Sequence, residues 1–92
     1  MTGLKWTGKA LSDLVRLHDF LAQVDRQAAA RIVQSLTAAP ARLRESPRIG
    51  EKLEGFGSRE VRRILVNRYE MRYEIRESTI YVLRIWHTRE KR

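Results

Sequence analysis

Cysteine is absent from this chain of 92 residues, which excludes disulfide staples, thiolate zinc sites and a thiol nucleophile at once. Histidine is scarce, with two in all. Without cysteine or suitably spaced carboxylates they form no metal-binding pattern, so neither a metal nor another cofactor is expected. Nowhere do about 18 apolar residues run together, so no membrane span is expected. The start, Met1 to Trp6, holds one lysine and no apolar run, so no signal peptide is readable and a cytoplasmic protein is the expectation. Acidic residues are outnumbered: 11 Asp and Glu face 19 Lys and Arg, a formal charge of +8. What is present is enough to fold. Apolar residues reach 42%, more than a disordered basic tail carries, and the length leaves room for one core, hence one domain over residues 1–92.

Fifteen of the 19 basic residues are arginine, whose planar fork suits carboxylate or phosphate. Codon bias toward arginine accounts for the excess equally well. The charge is spread out, +3 over residues 1–46 and +5 over residues 47–92.

Between Thr7 and Val24 the apolar residues Ala10, Leu14, Leu17, Leu21 and Val24 recur every three or four positions, which predicts an amphipathic helix with Thr7 as its N-cap. His18, beside that stripe, is expected to pack or meet solvent. A second helix is predicted from Asp25, again a cap, through Ala28, Ala29, Ile32, Val33 and Leu36, making an αα-hairpin. Pro40 must end or kink it, and Leu43 suggests a further turn. Residues 46–58 contain three glycines and a proline and read as a loop pinned by Ile49, Leu53 and Phe56. The segment Gly55-Phe56-Gly57 lacks the spacing and the Lys-Ser/Thr of a phosphate-binding loop.

The period then changes to two. Tyr69, Met71, Tyr73 and Ile75 alternate with Glu70, Arg72, Glu74 and Arg76, the pattern of a half-buried strand. Val61–Val66 and Ile80–Trp86 flank it, giving an antiparallel meander with Asn67-Arg68 as the first turn. The second turn decides the faces. A three-residue loop, Glu77 to Thr79, pairs Arg76 with Ile80 and sets Tyr81, Leu83 and Ile85 beside the apolar side of the middle strand, and it is preferred over a two-residue loop pairing Ile75 with Ile80. On that register Arg72, Arg84 and Trp86 share the face away from the helices. Leu4–Trp6 adds a short first strand. The expected fold is therefore α+β, a two-helix antiparallel hairpin on a small antiparallel sheet in the order β-α-α-β-β-β.

Several pieces together resemble the RelE/ParE superfamily of bacterial toxins from type II toxin-antitoxin modules, and its ParE branch most. They are Ala10, Leu11, Asp13 and Leu14, Pro47 to Gly50, Val61 to Val66, Tyr69 to Ile75, and Ile80 to His87 with the ending His87-Thr88-Arg89. The resemblance implies a helical hairpin on a sheet and a cognate antitoxin, and antitoxins of this family tend to be acidic, complementary to a charge of +8. RelE-like members cleave mRNA on the ribosome, whereas ParE-like members poison DNA gyrase.

The nuclease chemistry needs a proton-transfer group and cations around the phosphorane. His87 with Arg63, Arg84 and Arg89 would supply them. RelE-like nucleases often add another His, a Lys-rich patch or a terminal aromatic here, but Thr88 follows His87 and the tail to Arg92 has no aromatic. The resemblance therefore favours a non-enzymatic gyrase inhibitor whose target-binding residues are Arg84, Trp86, His87 and Arg89. A ribosome-dependent mRNA endonuclease is the alternative, and a non-catalytic basic RNA-binding module the second.

Each candidate has a plainer reading. His87 can be a hydrogen-bonded strand-end histidine, and Trp86 can pack against the first strand. Arg62 and Arg63 are adjacent on a strand, so they point to opposite faces and one is expected to be structural. The alternating charges of Glu70, Arg72, Glu74 and Arg76 suit a solvated face with weak cross-strand pairs. Arg89 to Arg92 reads as a solubilising tail or as a basic contact for an acidic partner.

Overall fold

The computed structural model describes residues 2–90. Strand β1 (Gly3–Trp6) leads into helix α1 (Gly8–Ala22) and helix α2 (Arg26–Ala38), followed by α3 (Pro40–Glu45) and a 3-10 turn at Pro47–Ile49. Strands β2 (Glu51–Lys52), β3 (Glu60–Val66), β4 (Tyr69–Arg76) and β5 (Thr79–His87) complete the chain. The five strands form one sheet in the order β1-β5-β4-β3-β2. Its β3-β4-β5 part is the antiparallel meander that the period-two pattern predicts. β1 lies parallel to β5, however, so the sheet is mixed. A parallel neighbour needs a long crossover, and α1 with α2 and α3 supplies it.

Both helix starts are set by local chemistry. The Thr7 hydroxyl accepts from Ala10 N–H at 3.1 Å and the Asp25 carboxylate from Ala28 N–H at 3.0 Å, each satisfying a donor that the first helical turn leaves free. Pro40 kinks the chain rather than stopping it. Ala39 keeps helical angles, and Pro40, which has no N–H to lose, opens α3. One face of the hairpin rests on the sheet. Ala10, Leu17, Leu36 and Ala39 meet Met71, Val82 and Ile85 in the main core, and Leu43, Tyr73 and Ile80 form a second cluster. Full burial of each large side chain here stabilises by roughly 1.5–3 kcal/mol.

The loop expected at 46–58 holds more structure than its composition suggests, and one buried phenol organises it. The Tyr73 hydroxyl donates to the Pro47 carbonyl at 2.6 Å and accepts from Gly50 N–H at 3.1 Å. A Cβ on Gly50 would sit 2.6 Å from that hydroxyl and 2.6 Å from the Arg63 carbonyl, so only glycine fits. β2 then starts at Glu51, opposite Arg63.

The expected register at the last turn is overturned. Ile75 pairs with Ile80 and Arg76 with Thr79, leaving the two-residue turn Glu77-Ser78 in place of a three-residue loop. Both residues have positive φ, 48° and 63°, the backbone that the tightest hairpin needs. Neither is Gly or Asn, so the usual composition signal was missing. Ile80, Val82 and Ile85, rather than Tyr81, Leu83 and Ile85, reach the core. The phase changes inside β5. Tyr73 faces Val82 but Arg72 faces Arg84, so Leu83 is an extra, bulged residue. This bulge returns Arg84 and Trp86 to the outer face beside Arg72, the juxtaposition expected from a different register.

Candidate target-binding surface

On the side of the sheet away from the helices, pairing brings three arginines into one cross-strand row: Arg63 opposite Arg72, and Arg72 opposite Arg84. Like charges in adjacent strands repel, and the surrounding carboxylates compensate. Glu70 accepts from Arg63 at 3.3 Å and from Arg72 at 3.1 Å. Glu74 takes two bonds from Arg59, at 3.1 and 2.9 Å, and Asp13 takes two from Arg84, at 2.8 and 3.2 Å. Glu70, Glu74 and Asp13 are buried. The solvated charge ladder expected at Glu70 to Arg76 is therefore corrected: its acids lie under their arginines, because the outer face is roofed by guanidinium groups and by the loop carrying Phe56 and Arg59.

Aromatic rings alternate with these cations. The Arg59 and Arg72 guanidinium carbons each lie 5.9 Å from the Phe56 ring centre. Those of Arg72 and Arg84 lie 4.8 and 4.9 Å from the Trp86 ring. The sequence Arg59, Phe56, Arg72, Trp86, Arg84 is thus a continuous stack, held by attraction between cation and ring face. Arg72 Nε is buried without a hydrogen-bond partner, and the flanking rings offset part of that cost. Trp86, 9% exposed, belongs to this stack and not to the core clusters around β1.

The pairing has electrostatic consequences. Burial acts to raise the Asp13 pKa, but hydrogen bonds from Arg84, from Ile85 N–H and from Arg16 outweigh it and hold the carboxyl below its usual range. The paired Arg59 lowers Glu74 against a smaller opposing effect of burial. Arg62 lies on the helix side, bound to Glu60 at 2.8 Å and to the Gly50 carbonyl at 2.8 Å. It is the structural member of the Arg62-Arg63 pair.

The remaining candidates are elsewhere. His87 pairs with Tyr69 on the helix side, its ring edge-on to the tyrosine at 5.2 Å. Its Nδ1 accepts from Arg89 N–H at 3.1 Å, which describes a hydrogen-bonded strand-end histidine. Together with Arg16, Phe20, Tyr69 and Glu90 these two residues line a groove of about 530 Å³. Phe20, 74% exposed at its mouth, was missed from sequence; Asp13 had a visible signal, standing three residues after Ala10 on the apolar side of α1. Lys91 and Arg92, the rest of the basic tail, lie outside the described residues. His18 bonds only its neighbour Asp19, and no group of metal-ligating side chains occurs among the described residues.

The structure thus separates the four nuclease candidates, with Arg63 and Arg84 on one face and His87 and Arg89 at the end of the other. Residues 4–92 match the family described as ParE toxin of type II toxin-antitoxin system, parDE. The chain belongs to this toxin family. Toxin RelE2 of Caulobacter vibrioides is 32% identical over 87 residues, covering 95% of this chain and 96% of that protein. A solved structure of a chromosomal ParDE TA system from P. aeruginosa has a TM-score of 0.79 at 25% identity, over 95% of this chain and 96% of that one. The archaeal RelE-RelB complex from Pyrococcus horikoshii OT3 shares the fold, with a TM-score of 0.53 at 17% identity over 98% of both chains. A type II toxin of the ParE/RelE family is accordingly what the chain is.

Proposed function

We propose that this toxin acts without catalysis, by binding DNA gyrase, and that a cognate antitoxin neutralises it. The observation that carries the first part is the separation just described. A ribonuclease needs its proton-transfer group and its cations around one phosphate, whereas here His87 is across the sheet from Arg63 and Arg84, both already paired with carboxylates. A binding toxin needs only complementary surface, and the end of β5 supplies it on both faces, with Arg84 beside Trp86 on the outer face and His87 with Arg89 on the helix side. The antitoxin is supported by apolar surface: Leu11, Val15, Phe20, Val24, Ile49 and Leu65 are each at least half exposed. The similar protein from P. aeruginosa is likewise part of a ParDE TA system.

Ribosome-dependent mRNA cleavage is the second reading, favoured by the RelE2 name of the Caulobacter relative. Brief induction, followed by assays of supercoiling by purified gyrase and of mRNA cleavage on ribosomes, separates the two. The expected result is lost supercoiling and intact mRNA, with His87→Ala weakening inhibition only gradually. Codon-positioned cuts that disappear in His87→Ala, with gyrase unaffected, would instead establish the nuclease. Non-specific RNA binding without either effect would leave the basic RNA-binding module.

A further inference from the structure

The outer face of the sheet carries more cations than its carboxylates neutralise. Leu4 and Trp6 pack into the core, so alternation along β1 turns Lys5 outward, beside Tyr81 of β5. Tyr81 is opposite Glu74 of β4, and Arg76 ends that strand on the same face. Lys5 and Arg76 are exposed and make no ion pair among the described residues. The paired cations also look out. Arg59 and Arg84 have side chains 54% and 36% exposed, while the carboxylates they cover, Glu74 and Asp13, are buried. Arg63 adds less, because the exposed Glu51 binds it at 2.8 Å from the edge. Solvent therefore meets a positive face.

Each aromatic ring on this face already carries a guanidinium. Trp86 holds Arg72 and Arg84, Phe56 holds Arg59 and Arg72, and the Arg76 guanidinium carbon lies 4.3 Å from the Tyr81 ring centre. A protein that grips a single strand of nucleic acid needs bare rings on which unstacked bases can lie. Rings covered by cations offer a ligand guanidinium groups instead, and these suit phosphate. The cations Lys5, Arg84 and Arg76 come from three adjoining strands, a breadth of about 10 Å at the usual strand spacing. Such a surface fits a rod of phosphates whose bases stay stacked inside.

We infer that the outer face of the sheet is a docking surface for the phosphate backbone of duplex DNA, with Lys5, Arg59, Arg76 and Arg84 as its contacts. The inference rests on the gyrase reading above and adds the DNA that gyrase holds as a second partner. His87 and Arg89, on the helix side, are left for the protein. Backbone contacts position a protein without reading sequence. They also release counterions, so the affinity falls steeply with salt.

The test titrates the full-length toxin into a short labelled DNA duplex of arbitrary sequence and follows fluorescence anisotropy. With these four cations on phosphates, log K is expected to fall with log salt with a slope of about −3 to −4, and a second sequence to bind within about twofold. Arg76→Gln is expected to raise the Kd about fivefold and to reduce the slope by about 1. Arg31→Gln on α2 loses the same charge and is expected to change the Kd less than about twofold. In the supercoiling assay with purified gyrase, Arg76→Gln is expected to need about fivefold more toxin for equal inhibition. Equal weakening by Arg31→Gln, or tighter binding to a single strand of DNA or RNA, overturns the inference. Absence of duplex binding at low salt overturns it too, in favour of a protein contact where Arg76→Gln still weakens gyrase inhibition. Gyrase inhibition that Arg76→Gln leaves unchanged overturns the inference and keeps the gyrase reading. Duplex binding as expected beside unimpaired supercoiling supports the surface and overturns the gyrase reading instead.

Discussion

Past Val82, where β1 stops, the outer edge of β5 is closed by side chains, whereas past Arg63, where β2 stops, the edge of β3 is left open. On the closed side the Thr7 hydroxyl donates to the Leu83 carbonyl at 3.0 Å, Asp13 accepts from Ile85 N–H at 2.8 Å, Arg16 donates to the Ile85 carbonyl at 3.2 Å and Glu90 accepts from His87 N–H at 2.8 Å. Each polar backbone group is answered in turn, and three of the four side chains belong to α1 or its cap. On the open side the nearest helices offer Ser35, Ala38, Ala39 and Arg42, and among the described residues no side chain of theirs caps this edge as Thr7, Asp13 and Arg16 cap the other. Folding stability therefore draws on one edge, and the other remains available for a partner.

Breaking the closed edge should cost most. Asp13→Ala removes the acceptor of Ile85 N–H and strands Arg84 beside Arg72, so a loss of about 3 kcal/mol is expected in urea unfolding. Acid attacks this edge through Asp13, and β3 and β4 through Glu60 and Glu74. Asp13, Glu60 and Glu74 all have lowered folded pKa values, Glu60 chiefly through its hydrogen bond from Arg62. Their contribution is complete above the ordinary carboxylate range and is lost as pH falls through the folded values. Melting temperature should thus hold steady near neutrality and drop below about pH 4. Asp13→Asn should show a shallower drop.

Moving Gly50 comes next, because it fixes where the cover of β3 ends. Gly50→Ala places a methyl group against the Arg63 carbonyl and the Tyr73 hydroxyl, and a loss of about 2 kcal/mol by thermal or chemical unfolding is expected. A smaller effect of opposite sign is expected at the turn that sets the register of β5. Ser78→Gly relieves a positive φ of 63° and should stabilise by about 0.5–1 kcal/mol. The open edge itself should barely respond: Leu65→Lys is expected to change stability by no more than about 0.5 kcal/mol.

Much of this molecule was legible in its sequence, for reasons tied to particular residues. The spacing of Ala10, Leu14, Leu17 and Leu21 and the caps Thr7 and Asp25 are local signals, and they specify helices wherever the chain goes. The alternation from Tyr69 to Arg76 is equally local, and it marked the strand whose one face fills the core. The turn at Glu77-Ser78 escaped because its residues take a backbone they do not usually prefer, and the bulge at Leu83 because nothing in Leu83 itself announces it.

What only the tertiary structure decided concerns partners distant in the chain. That Glu70 and Glu74 lie buried, that Asp13 closes a strand edge some seventy positions away, and that His87 is separated from Arg84 by the thickness of the sheet all depend on which strands became neighbours. A residue carries its own period and propensity wherever it is placed. The partner that neutralises its charge or satisfies its backbone is chosen when the sheet assembles, because hydrogen bonds and ion pairs form between atoms that the fold brings within about 3 Å of one another.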